Sequence, residues 1–146
     1  MADSTTISES PLLDRVTGSC LCGSVRFEVV GAFDGFYLCH CSRCRKDTGS
    51  AHASNLFSTT ARLLWLAGEA QVTGYKLPGT RHQRAFCAGC GSAMPTRQRD
   101  GGLLVVPAGS LDGDPGVRPT AHIFCDDKAG WESQLPEAPC LPGAPI

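Results

Sequence analysis

Two cysteine pairs with the same local pattern constrain this chain more than any other feature. Residues 20–23 read CLCG and residues 87–91 read CAGCG, so that each pair is followed at once by glycine. Glycine in that position allows a backbone turn with φ > 0, in which amide N–H groups point back at the sulfurs and share their negative charge. Both segments therefore predict zinc knuckles.

Two knuckles supply four thiolates, which is the complete tetrahedral ligand set of a structural zinc ion. We therefore predict one zinc site formed by Cys20, Cys22, Cys87 and Cys90. Such a site anchors two hairpins that are far apart in the chain, and we expect loss of the metal to unfold the domain. The alternative is four unconnected cysteines packed in a core, which does not explain why the pattern recurs.

A third group of thiols follows a different pattern. Cys39, Cys41 and Cys44 surround His40, and Cys44 is followed by arginine instead of glycine. In an extended segment Cys39 and Cys41 lie on one face and His40 on the other, so His40 is a poor fourth ligand. Cys44 can reach the same metal if the chain turns after Cys41. Three protein ligands with an open position are typical of a catalytic zinc site.

The open position suggests that the substrate supplies the fourth ligand. A thiol bound there would lose its proton and become a nucleophile at neutral pH. The rival interpretation is a second structural zinc that is completed by His52, His122, Cys125 or a partner chain.

The total number of cysteines also favours metal binding. Nine cysteines are too many for packing alone, and an odd number in a reducing compartment argues against disulfides. Cys125 is interpreted as a small buried hydrophobic residue and Cys140 as a free thiol, since neither is needed as a ligand.

Length and charge limit the possible partners. The 146 residues suit one domain, and 13 Lys and Arg against 14 Asp and Glu give no field that would attract nucleic acid. No apolar run reaches the roughly 20 residues of a membrane helix, and the first residues lack a signal-peptide pattern. We therefore expect a cytoplasmic protein with small, neutral partners and no contact with membranes.

Short alternating segments punctuated by 17 glycines and ten prolines predict a mainly β domain. A short helical turn that ends at Gly49 is expected after Cys44. We predict a loosely held N-terminal tail over residues 1–17, a zinc domain over 18–131 and a proline-rich tail over 132–146. The predicted strands lie near residues 25–29, 36–38, 54–57, 63–66, 72–75, 103–106 and 122–124.

Several other side chains have weaker signals. Arg43, Arg45 and Lys46 flank the third thiol group and could hold a substrate carboxylate, although solvation explains most basic clusters equally well. His122 could carry protons or be a hydrogen-bonded structural residue.

The remaining polar and aromatic candidates are interpreted structurally. We expect structural or solvated roles for His52 and His82, and Arg84 is expected to pair with a carboxylate or to cap a loop. Trp65 and Trp131 are interpreted as core anchors.

The motifs in chain order, GSCLCGSVRFEV, CHCSRCRKDTGS, RAFCAGCGSAM, PAGSLD and HIFCDDKAGW, resemble the glutathione-dependent formaldehyde-activating enzyme family, also called the GFA or CENP-V domain family. The resemblance runs from about Gly18 to Trp131. It implies a β-tent fold of antiparallel sheets and two zinc ions per chain. It assigns the structural zinc to Cys20, Cys22, Cys87 and Cys90 and the catalytic zinc to Cys39, Cys41 and Cys44.

For function, the resemblance implies a carbon–sulfur lyase or synthase that joins glutathione to formaldehyde as S-(hydroxymethyl)glutathione. Glutathione or another small thiol would then be the partner. Two alternatives stay open: a non-catalytic zinc-binding scaffold module, and a zinc hydrolase in which water takes the open position.

Overall fold

The computed structural model describes residues 14–146, and the predicted tail over residues 1–17 therefore lies mostly outside the described residues. The described part contains eleven short strands: β1 Arg15–Ser19, β2 Arg26–Val30, β3 Gly35–Cys39, β4 Ala53–Ser58, β5 Arg62–Ala67, β6 Val72–Lys76, β7 Gln83–Cys87, β8 Ala93–Met94, β9 Thr96–Gln98, β10 Leu103–Pro107 and β11 Ala121–Ile123. One α-helix, α1, spans Ser42–Thr48. Four 3-10 turns span Glu69–Gln71, Ala108–Ser110, Cys125–Asp127 and Glu132–Glu137.

The strands form three small sheets, with orders β1-β2-β5, β11-β3-β4-β10-β9 and β6-β7-β8. Every strand pair is antiparallel except β11 with β3, which is parallel. The mainly β fold predicted from the sequence is confirmed, and the β11–β3 pair is its one parallel exception among residues 14–146. No helix within this range is both long and apolar enough to cross a membrane.

The core lies between the sheets and follows from the alternation of the strands. In β2, Phe27 and Val29 are fully buried, whereas the residues between them are not. Phe27 packs edge-on against Trp65 of β5, with ring centroids 6.0 Å apart, so Trp65 is a core anchor as predicted. Trp131 is 52% exposed, and the same prediction for Trp131 was wrong.

The predicted helical turn is α1. Cys41 is its N-cap, because the Cys41 sulfur accepts a hydrogen bond from the Cys44 backbone N–H at 3.3 Å. Gly49 ends the helix in the left-handed conformation, and its N–H donates to the Arg45 carbonyl. The helix therefore holds Cys44 directly beside the end of β3.

Two connections and one strand end position the cysteines. The β1–β2 connection carries the first knuckle, and the β7–β8 connection carries the second. These connections belong to different sheets, so a contact between the knuckles joins the β1-β2-β5 sheet to the β6-β7-β8 sheet. The third thiol group lies at the end of β3, where the chain enters α1. β3 pairs with β11 on one side and with β4 on the other.

Candidate metal centres

The structure brings the two predicted knuckles together. The sulfurs of Cys20, Cys22, Cys87 and Cys90 all lie within 4.8 Å of one another. The Cys20–Cys22 and Cys22–Cys87 sulfur separations are 3.6 Å and 3.9 Å. Four Zn–S bonds of about 2.3 Å in a tetrahedron place neighbouring sulfurs about 3.8 Å apart. The sulfur positions therefore fit a zinc ion.

Glycine gives both knuckles the same turn. Gly23 and Gly91 have φ values of +82° and +79°. The Gly23 N–H donates to the Cys20 carbonyl at 3.1 Å, and the Gly91 N–H donates to the Cys87 carbonyl at 2.7 Å. A residue with a Cβ is disfavoured at such φ values, which explains why glycine follows each pair.

Backbone N–H groups point at the sulfurs, as expected for knuckles. The Val25 N–H donates to the Cys20 sulfur at 3.2 Å, and the Gly89 N–H donates to the Cys87 sulfur at 3.3 Å. Each donor lies two positions from the glycine of its knuckle, instead of being the glycine itself. The N–H groups stabilise negative charge on the two sulfurs, which are candidate metal ligands.

Two serines, which the sequence analysis did not single out, complete the link between the knuckles. Ser92 accepts a hydrogen bond from the Leu21 N–H at 2.8 Å, which joins the backbone of the first knuckle to the second. The Ser24 hydroxyl lies 3.1 Å from the Cys22 sulfur and 3.6 Å from the Cys87 sulfur. Both serines follow the second thiol of their pair by two positions, and that repeated spacing could have indicated their role.

Hydrogen bonds make two of these thiols acidic. Burial opposes ionisation of Cys20, but the Val25 N–H and the Ser24 hydroxyl outweigh it and lower the Cys20 pKa to about 7. The hydroxyl and N–H of Ser92 lower the pKa of Cys90 to about 5. Because metals bind the thiolate, these shifts favour metal binding at neutral pH.

The structure also brings together the three remaining predicted ligands. The sulfurs of Cys39, Cys41 and Cys44 lie within 4.8 Å of one another. Cys39 ends β3, Cys41 caps α1 in an extended conformation, and Cys44 lies in the first turn of the helix. Cys39 and Cys44 are each 8% exposed, and Cys41 is partly exposed. Solvent therefore reaches the cluster from the side of Cys41.

None of the residues considered as a fourth ligand joins this group. The ligand atoms of His52, His122 and Cys125 are not within 4.8 Å of all three sulfurs. Cys125 is exposed, so its interpretation as a buried hydrophobic residue was wrong. Cys125 begins the 3-10 turn that follows strand β11, and its side chain lies at the surface.

The contact between Cys39 and Cys44 shifts their pKa values in opposite directions. A hydrogen bond from the Cys44 thiol lowers the pKa of Cys39 to about 6 in spite of its burial. The same contact, together with burial, raises the pKa of Cys44 strongly. Three neighbouring thiols cannot all ionise in a buried position unless positive charge compensates them. A divalent cation would supply such a charge.

The basic residues of this region have different surroundings. The Arg45 side chain donates from Nε to the Asp127 carbonyl at 3.2 Å and so holds the 3-10 turn that follows β11. Arg43 and Lys46 are exposed. Only these two basic side chains of α1 are therefore free to meet an anionic group from solvent.

An ionic network lies on the next turn of α1. Asp47 binds His82 Nε2 at 2.9 Å and forms an ion pair with Arg84. The expected pairing of Arg84 with a carboxylate is confirmed. The network links α1 to the β6–β7 connection and to β7, and His82 takes a structural role in it.

A histidine cluster was not predicted from the sequence. His40 is 1% exposed, and its Nε2 lies 2.8 Å from Nδ1 of His122. The ring centroids of His40 and His52 are 5.1 Å apart, and Glu132 completes a group with His40 and His122. Burial lowers the pKa of His40. Alternation did predict that His40 faces away from the thiols, but not the parallel pairing that brings His122 to it.

The domain is mainly β and contains one group of four cysteine sulfurs and one group of three. These features define the class of protein as a β domain whose two ligand sets are compatible with zinc. The particular family follows from comparison with known proteins. The sequence profile described as "Glutathione-dependent formaldehyde-activating enzyme" matches residues 15–127. The chain belongs to this family, and the resemblance seen in the sequence is confirmed.

Two relatives illustrate the match. A Halomonas elongata protein, provisionally named a glutathione-dependent formaldehyde-activating enzyme, is 36% identical over 124 residues, which cover 78% of this chain and 77% of the relative. The crystal structure of a Rhodobacter sphaeroides protein superposes with a TM-score of 0.50 at 24% identity and covers 73% of this chain and 98% of that one. At this identity the second relative supports the fold alone.

Proposed function

We propose that this protein is a zinc-dependent carbon–sulfur lyase that forms and breaks adducts between a small thiol and an aldehyde. The reaction of glutathione with formaldehyde to give S-(hydroxymethyl)glutathione is the example that the family name supports. The observation that carries the proposal is the partly exposed group of three sulfurs, which would leave one position of a tetrahedral ion open, whereas the other group supplies four sulfurs.

The two cysteine groups have different proposed roles. Cys20, Cys22, Cys87 and Cys90 would hold a structural zinc that joins two sheets. Cys39, Cys41 and Cys44 would hold the catalytic zinc. When bound there, zinc supplies Lewis-acid chemistry and a ligand position that can take a thiol.

The reaction needs no oxidant or reductant. The thiol sulfur forms a bond to the carbonyl carbon, the C=O π bond breaks, and the thiol proton ends on the oxygen; the reverse reaction restores both reactants. Cys39 and Cys44 are buried, so the substrate can approach only beside Cys41. Arg43 and Lys46 are the exposed cations that would attract the carboxylates of glutathione.

We propose a cytoplasmic location, because glutathione belongs to a reducing compartment and none of the nine cysteines forms a disulfide.

The test compares the Cys41→Ala variant with a matched control, Cys140→Ala, which removes an exposed cysteine outside both groups. Elemental analysis gives the zinc content, and exchange NMR with ¹³C-formaldehyde gives the rate of adduct formation above the uncatalysed rate. We expect two zinc ions in the wild type, and one zinc with no catalysis in Cys41→Ala. The control should behave as the wild type.

Several results would contradict the proposal. Catalysis that survives in folded Cys41→Ala would exclude this group as the catalytic centre. Wild-type protein with two zinc ions that resist chelation equally, and with no acceleration by any small thiol, would favour the scaffold module. Hydrolysis of simple esters that is lost in Cys41→Ala, without adduct formation, would favour a hydrolase.

A further inference from the structure

We propose that His40, His122 and Glu132 form a binding site for a divalent transition-metal cation, separate from both cysteine groups. The proposal does not depend on the proposed function, because it uses none of the cysteines. Candidate ligand atoms of the three residues lie within 4.8 Å of one another. For the rest of this section the three residues are called the His–Glu group.

The His–Glu group is assembled from three separate parts of the chain. His40 follows β3, His122 lies in β11, and Glu132 begins the last 3-10 turn. The parallel pairing of β11 with β3 places His122 opposite Leu38, and the His40 N–H donates to the Ile123 carbonyl at 3.0 Å. These backbone contacts fix the two imidazoles against each other.

The separation of the two imidazoles fits a shared ion. His40 Nε2 and His122 Nδ1 are 2.8 Å apart. Metal–nitrogen bonds of about 2.0–2.1 Å place two adjacent imidazole nitrogens about 3 Å apart on an octahedral ion and about 3.3 Å apart on a tetrahedral one, so the observed separation is closer to the octahedral geometry. Glu132 adds a carboxylate, and two histidines with one glutamate are a known ligand set for zinc.

A second observation is independent of these distances. His40 is 1% exposed, and its Nδ1 has no hydrogen-bond partner among the described residues. His122 is therefore the one side chain among the described residues that contacts a ring nitrogen of the buried His40. A cation bound through Nε2 would fix the His40 proton on Nδ1.

The chemistry of the donors selects the class of metal. Imidazole with carboxylate suits zinc, nickel and cobalt, whereas magnesium and calcium prefer oxygen ligands alone. His122 is exposed and Glu132 is partly exposed, so an ion can enter from solvent. Cys39 ends β3 and Cys41 has an extended backbone, and the ring nitrogens of His40 join none of the cysteine sulfurs in one ligand group.

The experiment titrates Ni²⁺ into the full-length protein with its zinc as isolated. Isothermal calorimetry gives the affinity, and elemental analysis after desalting gives nickel and zinc in the same sample. We expect one equivalent of nickel bound and no zinc released. His122→Gln and Glu132→Gln should each weaken nickel binding at least tenfold, and both changes are at accessible positions, which spares the buried His40.

Two controls match these changes. Glu137→Gln removes the same charge from the same 3-10 turn, and His52→Gln removes a neighbouring imidazole whose Nδ1 lies 3.3 Å from the Ser54 hydroxyl. Both should bind nickel as the wild type does. Far-UV circular dichroism verifies that all four variants are folded.

The contrary outcomes are distinct. No bound nickel would show that the two imidazoles share only a proton. Nickel that displaces zinc, or that shows sulfur-to-nickel charge-transfer absorption, would assign the binding to cysteines. Equal affinities in wild type, His122→Gln and Glu132→Gln would also overturn the His–Glu group, and so would a loss of binding in His52→Gln equal to that in His122→Gln.

Discussion

The Ser24 hydroxyl offers a sharp test of the four-cysteine site. It is the side-chain donor nearest to three of the sulfurs, at 3.1 Å from Cys22, 3.6 Å from Cys87 and 3.8 Å from Cys20. When the sulfurs are metal-bound thiolates, the hydroxyl can only donate to them. Ser24→Ala therefore removes a hydrogen-bond donor without removing a ligand.

The expected size of the effect follows from these contacts. One hydroxyl proton can be donated fully to one sulfur at a time, so the loss corresponds to one hydrogen bond to a charged group, about 1.5–3 kcal/mol where water is excluded. Ser24 is exposed, and water can replace part of the bond. Loss of a side chain that hydrogen-bonds a metal ligand usually weakens metal binding by about 10–100-fold. For Ser24→Ala we expect the low end, a loss of zinc affinity of about tenfold, or about 1.4 kcal/mol.

The assay is competition for zinc with a chromophoric chelator. A Cys41→Ala, His122→Gln background removes one ligand from each of the other two candidate sites, so that the four-cysteine site reports alone. The control is Ser19→Ala, because the Ser19 hydroxyl is next to the first knuckle but donates to the Asp112 carboxylate at 3.1 Å. A Ser24→Ala affinity within threefold of its background, or an equal loss in Ser19→Ala, would refute the role of the Ser24 hydroxyl.

Two further predictions test the core and one surface carboxylate. Phe27→Ala should lower the free energy of unfolding by about 3–5 kcal/mol, because Phe27 is fully buried against Trp65, whereas Phe124→Ala, at a ring that is 62% exposed, should change it by about 0.5 kcal/mol or less. Urea denaturation measures both, and equal effects would place the core elsewhere. Asp34 accepts hydrogen bonds from the Thr59 N–H and hydroxyl at 2.7 Å and 2.8 Å, which lower its pKa below the usual 3.8. Its contribution to stability is complete above that unfolded value and is lost as the pH falls through the lower folded value. The difference in unfolding free energy between wild type and Asp34→Ala should therefore be constant near neutral pH and should shrink below about pH 4. A difference that grows on acidification would contradict this assignment.

Much of the fold was predictable because the strands are short and alternate regularly. The segments predicted near residues 25–29, 54–57 and 103–106 correspond to β2, β4 and β10. β1 was missed because it begins within the predicted N-terminal tail, where Arg15, Thr17 and Gly18 give little apolar contrast. β7 was missed because only Ala85 and Cys87 are buried in it, which gives the segment too little apolar alternation to predict a strand.

The candidate sites, like the fold, could be predicted only in part. The grouping of all seven cysteine sulfurs was predicted, since a spacing of two or three residues brings the sulfurs of one segment together and the repeated pattern with its glycine marked the two knuckles as one ligand set. The contacts of the two serines depend on segments that are far apart in the chain and were not predicted. The pairing of Arg84 with a carboxylate was predicted, but its partner Asp47 and the link to His82 were not.

The sequence by itself determined which cysteine sulfurs lie together within each short segment, because a spacing of two or three residues fixes their positions over only a few backbone bonds. Tertiary structure brought the two knuckles, 65 residues apart at Cys22 and Cys87, onto each other. Tertiary structure alone decided that His40 meets His122 and Glu132. That contact requires β11 to lie parallel to β3 and the last 3-10 turn to return beside them. No local pattern encodes such an encounter, because strand order and direction are set by the packing of the whole domain.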